Sequence, residues 1–351
     1  MLLTAKECEQ MELNYENLKK NSKTFRAFTG FDVGEFQILL PVFTIAWERY
    51  MQQHRLPLEI RQRGYGGGRK SRLSTYEDRL LFILLYFKTY PLQEVIAFHF
   101  DMSQGQACQW IKILSEVLLQ TLAELGQLPE RDPQKVKERL ETYINESHSE
   151  HEADSETGSD TDSENELDSE TSPKMEIKDS FAIDGTERRR QRPKDQEEQK
   201  RFYSGKKKTH TVKNNMIVTL GKRRVEYLGS TWEGKKHDKI ICDEECHEFP
   251  KGSILYKDTG YQGYEPSGVD TRQPKKKPRN GELTEAEKAE NTLISKMRIT
   301  VEHVICGVKR CRIVKDIFRN TKDGFDDLVM EIACGLHNFR TAYRTGEAFN
   351  I

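Results

Sequence analysis

No apolar run in this sequence is long enough to span a bilayer. The longest, Leu80–Phe87, falls far short of the roughly 18–20 residues that a membrane helix needs. Cysteine is sparse and odd in number, seven scattered through 351 residues. That excludes a disulfide framework and points to a reducing compartment. Met1–Ser22 is studded with Lys and Glu, so it does not read as a secretory signal. One stretch lacks positive charge altogether. Glu146–Glu170 carries eleven Asp and Glu and no Lys or Arg. Without those eleven charges the net charge of −1 becomes +10, and a chain that is basic outside one acidic tract suggests a polyanion as partner.

The length fits two ordinary domains and a linker. The first part reads as helical. Phe36–Trp47 has helical spacing, with Pro41 as a kink or boundary. Arg61–Lys70 is a loop with three consecutive Gly; a phosphate-tracking loop and a flexible connector fit it equally. Ser74-Thr75-Tyr76-Glu77 has the pattern of a capping box ahead of Leu80–Phe87, and Pro91 ends that helix. Leu92–Phe100, a turn at Asp101-Met102, and a helix capped by Ser103 and running through Lys112 outline a helix-turn-helix. Its second helix would offer Gln104, Gln106, Gln109 and Lys112 to a major groove; a small helical hairpin with a solvated face has the same pattern. Gln127–Asn145 is helix-compatible, and Glu146–Ser172 is too hydrophilic to bury anything and reads as a disordered, solvated linker.

Beyond Lys178 the pattern changes. Ser180–Asp184, His210–Leu220, Arg223–Trp232 and Ile254–Tyr256 are strand candidates, with Gly221-Lys222 as a tight turn. Asn291–Cys311 and Asp326–Tyr343 are helical. Together they predict an α/β domain with a mixed sheet. Asp184 and Asp258 each end a strand candidate beside a Gly-containing turn, where side chains point into a crevice at a sheet edge. On a helical wheel at about 100° per residue, Arg298, Glu302 and Lys309 share one face beside the stripe of Ile294, Met297, Val301, Val304, Ile305 and Val308. A surface Arg298–Glu302 pair accounts for the same spacing. Three carboxylates from two strand ends and a helix suit a hard cation such as Mg²⁺ or Mn²⁺. Two such ions activate a water and stabilise the leaving oxygen of a phosphodiester, with Lys309 and Arg298 on substrate phosphates.

These residues carry a family resemblance. Phe181-Ala-Ile-Asp-Gly-Thr-Glu187 with Gln191–Asp195 and Tyr203–Lys213 resembles the first catalytic block of bacterial insertion-sequence transposases of the DDE superfamily. Gly229–Asp238 resembles their middle segment, and Lys257-Asp-Thr-Gly-Tyr-Gln-Gly263 the block with the second Asp. Ile294–His303 with Lys309 resembles the block with the Glu, and Cys334–Arg340 the C-terminal helix. The likeness spans roughly 180–340, in order. It implies a ribonuclease H-like catalytic domain over 178–351 and an all-α helix-turn-helix domain over 1–145; the acidic linker between them, 146–177, is read from composition alone. The resemblance further implies Asp184, Asp258 and Glu302 as catalytic ligands of two divalent ions, Mg²⁺ or Mn²⁺, and double-stranded DNA as partner. The DNA would be transposon terminal inverted repeats and target DNA, and the active complex a homodimer. The expected location is the cytoplasm of a bacterium, at the nucleoid, or the nucleus of a eukaryotic host. Two departures stand out: Ser295 where related groups have Tyr, and the acidic insert.

Other motifs have two readings. Cys242-Asp-Glu-Glu-Cys246-His247 has a zinc-like spacing without a second pair, so a turn-rich loop is expected. Lys206, Lys207 and Lys208, and Lys275–Arg279, are solvated runs or phosphate contacts. His237-Asp238 is a strand-end turn or an acid/base pair near the metals. The rival functions are a transposase-derived DNA-binding protein that no longer cuts, and a metal-dependent endonuclease without strand transfer.

Overall fold

The computed structural model describes residues 13–54, 71–155, 179–279, 281–347 and 349, and the side chains of all of these except 147–155. The Gly-rich loop at 61–70 and most of the acidic tract lie outside the described residues. The chain forms two compact units, one of residues 1–128 with 308–351 and one of 129–307.

The first unit begins with α1 (Tyr15–Leu18), α2 (Ser22–Thr29) and α3 (Val33–His54). Pro41 lies inside α3 and does not end it. It sits on the exposed face, so the hydrogen bond it cannot donate is lost to a carbonyl that water can reach. Next come α4 (Tyr76–Thr89), α5 (Gln93–His99) and α6 (Gln104–Glu124). The cap of α4 is Thr75, accepting from the Asp78 N–H, one residue later than the sequence pattern suggested. The apolar run Leu80–Phe87 is buried on all sides, which makes α4 the central helix of this unit. No single described helix is long and apolar enough to cross a membrane.

The second unit opens with α7 (Val136–Ser155), which continues ten residues into the acidic tract; Glu, Ala and Ser there prolong a helix already nucleated by its packed first half. The rest is β1 (Ser180–Arg189), α8 (Gln196–Phe202), β2 (Tyr203–Ser204), β3 (Thr209–Thr219), β4 (Val225–Leu228), β5 (Trp232–Glu233), α9 (Asp238–Glu245), β6 (Ile254–Lys257), β7 (Asp270–Arg272) and α10 (Glu285–Val308). β1 pairs antiparallel with β3 and parallel with β6; β3 pairs antiparallel with β4, and β6 parallel with β7. This mixed sheet, ordered β4-β3-β1-β6-β7, is that of a ribonuclease H-like fold. Val136, Leu140 and Tyr143 of α7 join Phe181, Ile183, Ile217, Tyr227 and Leu255 of the sheet in one buried cluster. That packing places α7 with the sheet, whereas the sequence reading had put everything to residue 145 with the N-terminal helices.

The chain then returns to the first unit with α11 (Arg312–Lys315) and α12 (Phe325–Thr345). α12 packs on α6, and a Cβ at Gly335 would meet Leu128 at 2.9 Å and Leu122 at 3.0 Å. The C-terminal helices therefore belong to the helical unit and not to the sheet, a second difference from the expected boundaries.

Candidate active site

Asp184 is not at a strand end. It lies inside β1, which runs on beside β3 as far as Arg189 opposite Thr211. On its other side β6 stops one residue short of Asp184's level. Ile183 pairs with Lys257 in parallel register, so the next position on each chain carries Asp184 and Asp258. The departure of β6 opens the crevice at the carboxyl end of a parallel strand, the usual place for a site in a sheet with such connections. Each carboxylate accepts from the following backbone N–H: Asp184 from Gly185 at 2.8 Å and Asp258 from Thr259 at 2.6 Å. Burial pushes the Asp184 carboxyl up to about 6; the Gly185 N–H and Arg298 oppose the rise, and the charges of Asp258 and Asp238 add to it. Burial and two acidic neighbours thus both disfavour the charged form of Asp184.

Arg298 of α10 lies on that charge, its Nη2 3.4 Å from Asp258 Oδ2. The surface pair with Glu302 is therefore not what Arg298 makes. Glu302, one turn further along α10, is exposed. Among the described residues no group of three His, Cys, Asp or Glu stands together as a metal cluster. The structure thus brings Asp184, Asp258 and Arg298 together and does not bring Glu302 to them. Lys309 follows the last residue of α10, is half-buried, and falls in the other unit.

A third carboxylate beside the pair is Asp238. It is the first residue of α9, with His237 as the cap, accepting from the Lys239 N–H. A Cβ on Gly185 would meet Asp238 Oδ1 at 3.2 Å, and one on Gly260 would meet Oδ2 at 3.4 Å. Asp238 therefore touches the residues that follow each of the two other aspartates closely. Lys213 of β3 donates to Asp238 Oδ1 at 3.0 Å. Beneath them Asn215 accepts from the Tyr261 hydroxyl at 3.0 Å and donates to the Cys242 sulfur at 3.2 Å. Cys242 is thus a buried structural thiol, and the segment read as a turn-rich loop is mostly α9. Sequence reasoning noticed Asp238 but not Lys213, Asn215 or Tyr261; the β1–β3 pairing of Gly185 with Asn215 and Glu187 with Lys213 is what aligns them, and no local motif signals it.

The basic runs differ. Lys275 pairs with Glu290 at 3.0 Å and Lys277 with Glu282 at 3.6 Å, which neutralises much of the second run. Lys206, Lys207 and Lys208 are exposed in the turn between β2 and β3. In the helical unit, α5 and α6 enclose the turn at Asp101, which has φ 46°. Ser103 and Gln106 form a reciprocal capping box at the start of α6, so the Gln106 side chain is engaged at the helix end. Gln104 donates to Gln93 of α5. Gln109 and Lys112 are exposed on α6, which runs to Glu124, well past Lys112.

Two family models match in chain order. One, a helix-turn-helix of DDE superfamily endonuclease, covers residues 71–124, and the other, a DDE superfamily endonuclease, covers 183–338. Over both stretches the chain is similar to DDE superfamily endonucleases. The superfamily's helix-turn-helix model takes in α4, α5 and α6, and its endonuclease model includes Asp184, Asp258 and Glu302. A probable transposase for insertion sequence element IS702 from Microchaete diplosiphon is 29% identical over 172 residues, which is 49% of this chain and 61% of that protein. The chain therefore matches somewhat under two thirds of that relative's length. No solved structure matches.

Proposed function

We propose that this chain is a DNA transposase that cuts phosphodiester bonds at transposon ends and joins the 3′-OH ends to target DNA. The observation that carries the reading is the pair Asp184 and Asp258, side by side where β6 leaves β1. The family match and the transposase relative support the same class of chemistry. The α4–α6 segment would hold double-stranded DNA at the terminal repeats, through Gln109 and Lys112 among others.

Asp184 and Asp258 fit divalent metal. They are hard oxygen donors of the kind Mg²⁺ and Mn²⁺ take, and Asp184, raised first by burial and then by Asp258 and Asp238, is a carboxyl whose charged form a bound cation would favour. Glu302 is the third carboxylate we assign to the ions. Two bound ions would supply an activated water and stabilisation of the leaving oxygen. The chain's own part is to hold those carboxylates and to present Arg298, and Lys309 beyond α10, to substrate phosphates. Asp238, tied to Lys213, positions Gly185 of β1 and Gly260 of the turn after Asp258. A homodimer is the proposed active complex, and the proposed setting is the bacterial cytoplasm at the nucleoid, or the nucleus in a eukaryotic host.

The test is incubation of the chain with Mg²⁺ and a DNA fragment bearing the element's own ends, scored for nicks with free 3′-OH and for joined products. Asp184→Ala, Asp258→Ala and Glu302→Ala are each expected to abolish cleavage while leaving DNA binding within about twofold, and Lys309→Ala to slow it. Near wild-type cleavage by Asp258→Ala sinks the assignment. Binding without any cleavage by the wild type points to a DNA-binding derivative, and nicks without joining to a plain endonuclease.

A further inference from the structure

The end of the sheet beyond Asp184 carries a feature that the catalytic reading leaves unused. Between Arg188 and His210 there are ten Lys and Arg against three Asp and Glu. Lys206, Lys207 and Lys208 stand exposed in the turn that joins β2 to β3. Among the described residues none of the three forms an ion pair. Aromatic rings are interleaved with this charge. Tyr203 is 43% exposed, pairs with His210 across β2 and β3, and meets its ring edge-on at 5.7 Å. Next to it the Arg190 guanidinium lies over the Phe202 ring at 3.9 Å. Arg190 also donates its N–H to the His210 carbonyl at 3.0 Å, which fixes the β1 end against the turn.

Tyr203 presents a flat aromatic face to solvent. The same ring among unpaired cations is the arrangement that binds single strands, where charge tracks the backbone and each base stacks on an aromatic face. A paired duplex has no free base face to offer, so on a duplex Tyr203 would contribute at most its hydroxyl to a phosphate and not its ring. We propose that Tyr203 with Lys206–Lys208 and Arg190 is a platform for single-stranded DNA: an unpaired base stacks on Tyr203 and the adjoining phosphates lie against the lysines. Six residues of extended chain separate Arg190 from Asp184, about 20 Å at strand rise, so the platform holds a strand flanking the scissile position and not the scissile bond. The inference rests on the reading of this chain as a DNA-cutting protein.

The full chain is titrated in EDTA, at about 0.1 M salt, with a fluorescent oligothymidylate of roughly 12 nucleotides and separately with a duplex of the element's end. Tyr203→Ala is expected to weaken binding of the single strand about tenfold or more and to leave the duplex within about twofold; Tyr203→Phe, which keeps the ring, is expected to bind both as wild type does. Changing Lys206, Lys207 and Lys208 to Ser is expected to weaken the single strand and flatten its salt dependence. In the wild type, a 2-aminopurine placed in the single strand is expected to be quenched on binding, and that quenching needs no variant to fold. Equal single-strand affinity for Tyr203→Ala and wild type, or no quenching in the wild type, overturns the platform. A wild type that binds the duplex but not the single strand overturns the platform alone; one that binds neither removes the DNA reading as well.

Discussion

At the scale of single residues the site is a problem of charge. Asp184 is half-buried between a strand, a glycine and two further carboxylates, and its carboxyl sits at about 6, above the usual range near 4. A group with a raised folded value favours the fold fully below its unfolded value, and that contribution is lost as pH rises through about 6. In metal-free buffer, Asp184→Asn is therefore expected to stabilise the protein at pH 8, on the order of 2 kcal/mol, and to change little at pH 4. Denaturant midpoints of both proteins at the two pH values measure this, and a gain of equal size at both would remove the electrostatic account. The aspartates stand out in the sequence because each follows a short strand-like run and lies within two residues of a glycine. The position of Asp184 within β1, and not at its end, was not legible, since it depends on β3 continuing where β6 stops. Lys309 lies one residue past the end of α10 at Val308; periodicity alone does not tell where a helix stops.

At the scale of elements, what the sequence showed well were the long helices and strands with one strong pattern. α4, α10, α12 and β3 lie close to where apolar periodicity placed them, while α6 starts as expected and runs on past Lys112 to Glu124. Short elements with polar faces were missed: α8, α9 and β7 are held by their neighbours more than by their own sequences. The contact of α12 with α6 is likewise invisible to local pattern, although it sets a residue choice. Gly335 lets α12 approach Leu122 and Leu128. Gly335→Val is expected to cost about 2–3 kcal/mol, because two leucines must move in a packed core. Gly335→Ala gains about 1 kcal/mol of helix propensity and loses a comparable amount to the same contact. Chemical denaturation of the three proteins checks the order, and a Val variant as stable as wild type would show that the helices are not closely packed there.

At the scale of the whole chain, the helical unit is assembled from both ends of the sequence, with the sheet unit inserted between them. Its C-terminal part is not an accessory. α12 buries Val329, Met330, Ile332, Ala333, Leu336 and Phe339. Phe339 lies 5.9 Å from Phe31, and the Asn338 amide donates to the Gln127 carbonyl at 3.0 Å. Arg319 reaches the carbonyls of Tyr90 and Pro91 at 2.7 and 3.0 Å, at the step between α4 and α5. Each of the five larger side chains contributes about 1.5–3 kcal/mol, so together they are comparable with the whole stability of an ordinary domain. A fragment of residues 1–145 cut at the sequence-based boundary is accordingly expected not to fold cooperatively. It should bind a dye that reports exposed apolar surface and show no sharp thermal transition. Residues 1–128 joined through a flexible linker to 308–351 should regain both cooperativity and salt-dependent binding of duplex DNA. Cooperative unfolding of the 1–145 fragment, with duplex affinity equal to that of the joined protein, would mean that α11 and α12 are dispensable to the helix-turn-helix. The opposite result would mean that the DNA-reading helix is braced by the far end of the chain, so that truncation after the sheet unit disables recognition without touching a single carboxylate of the site.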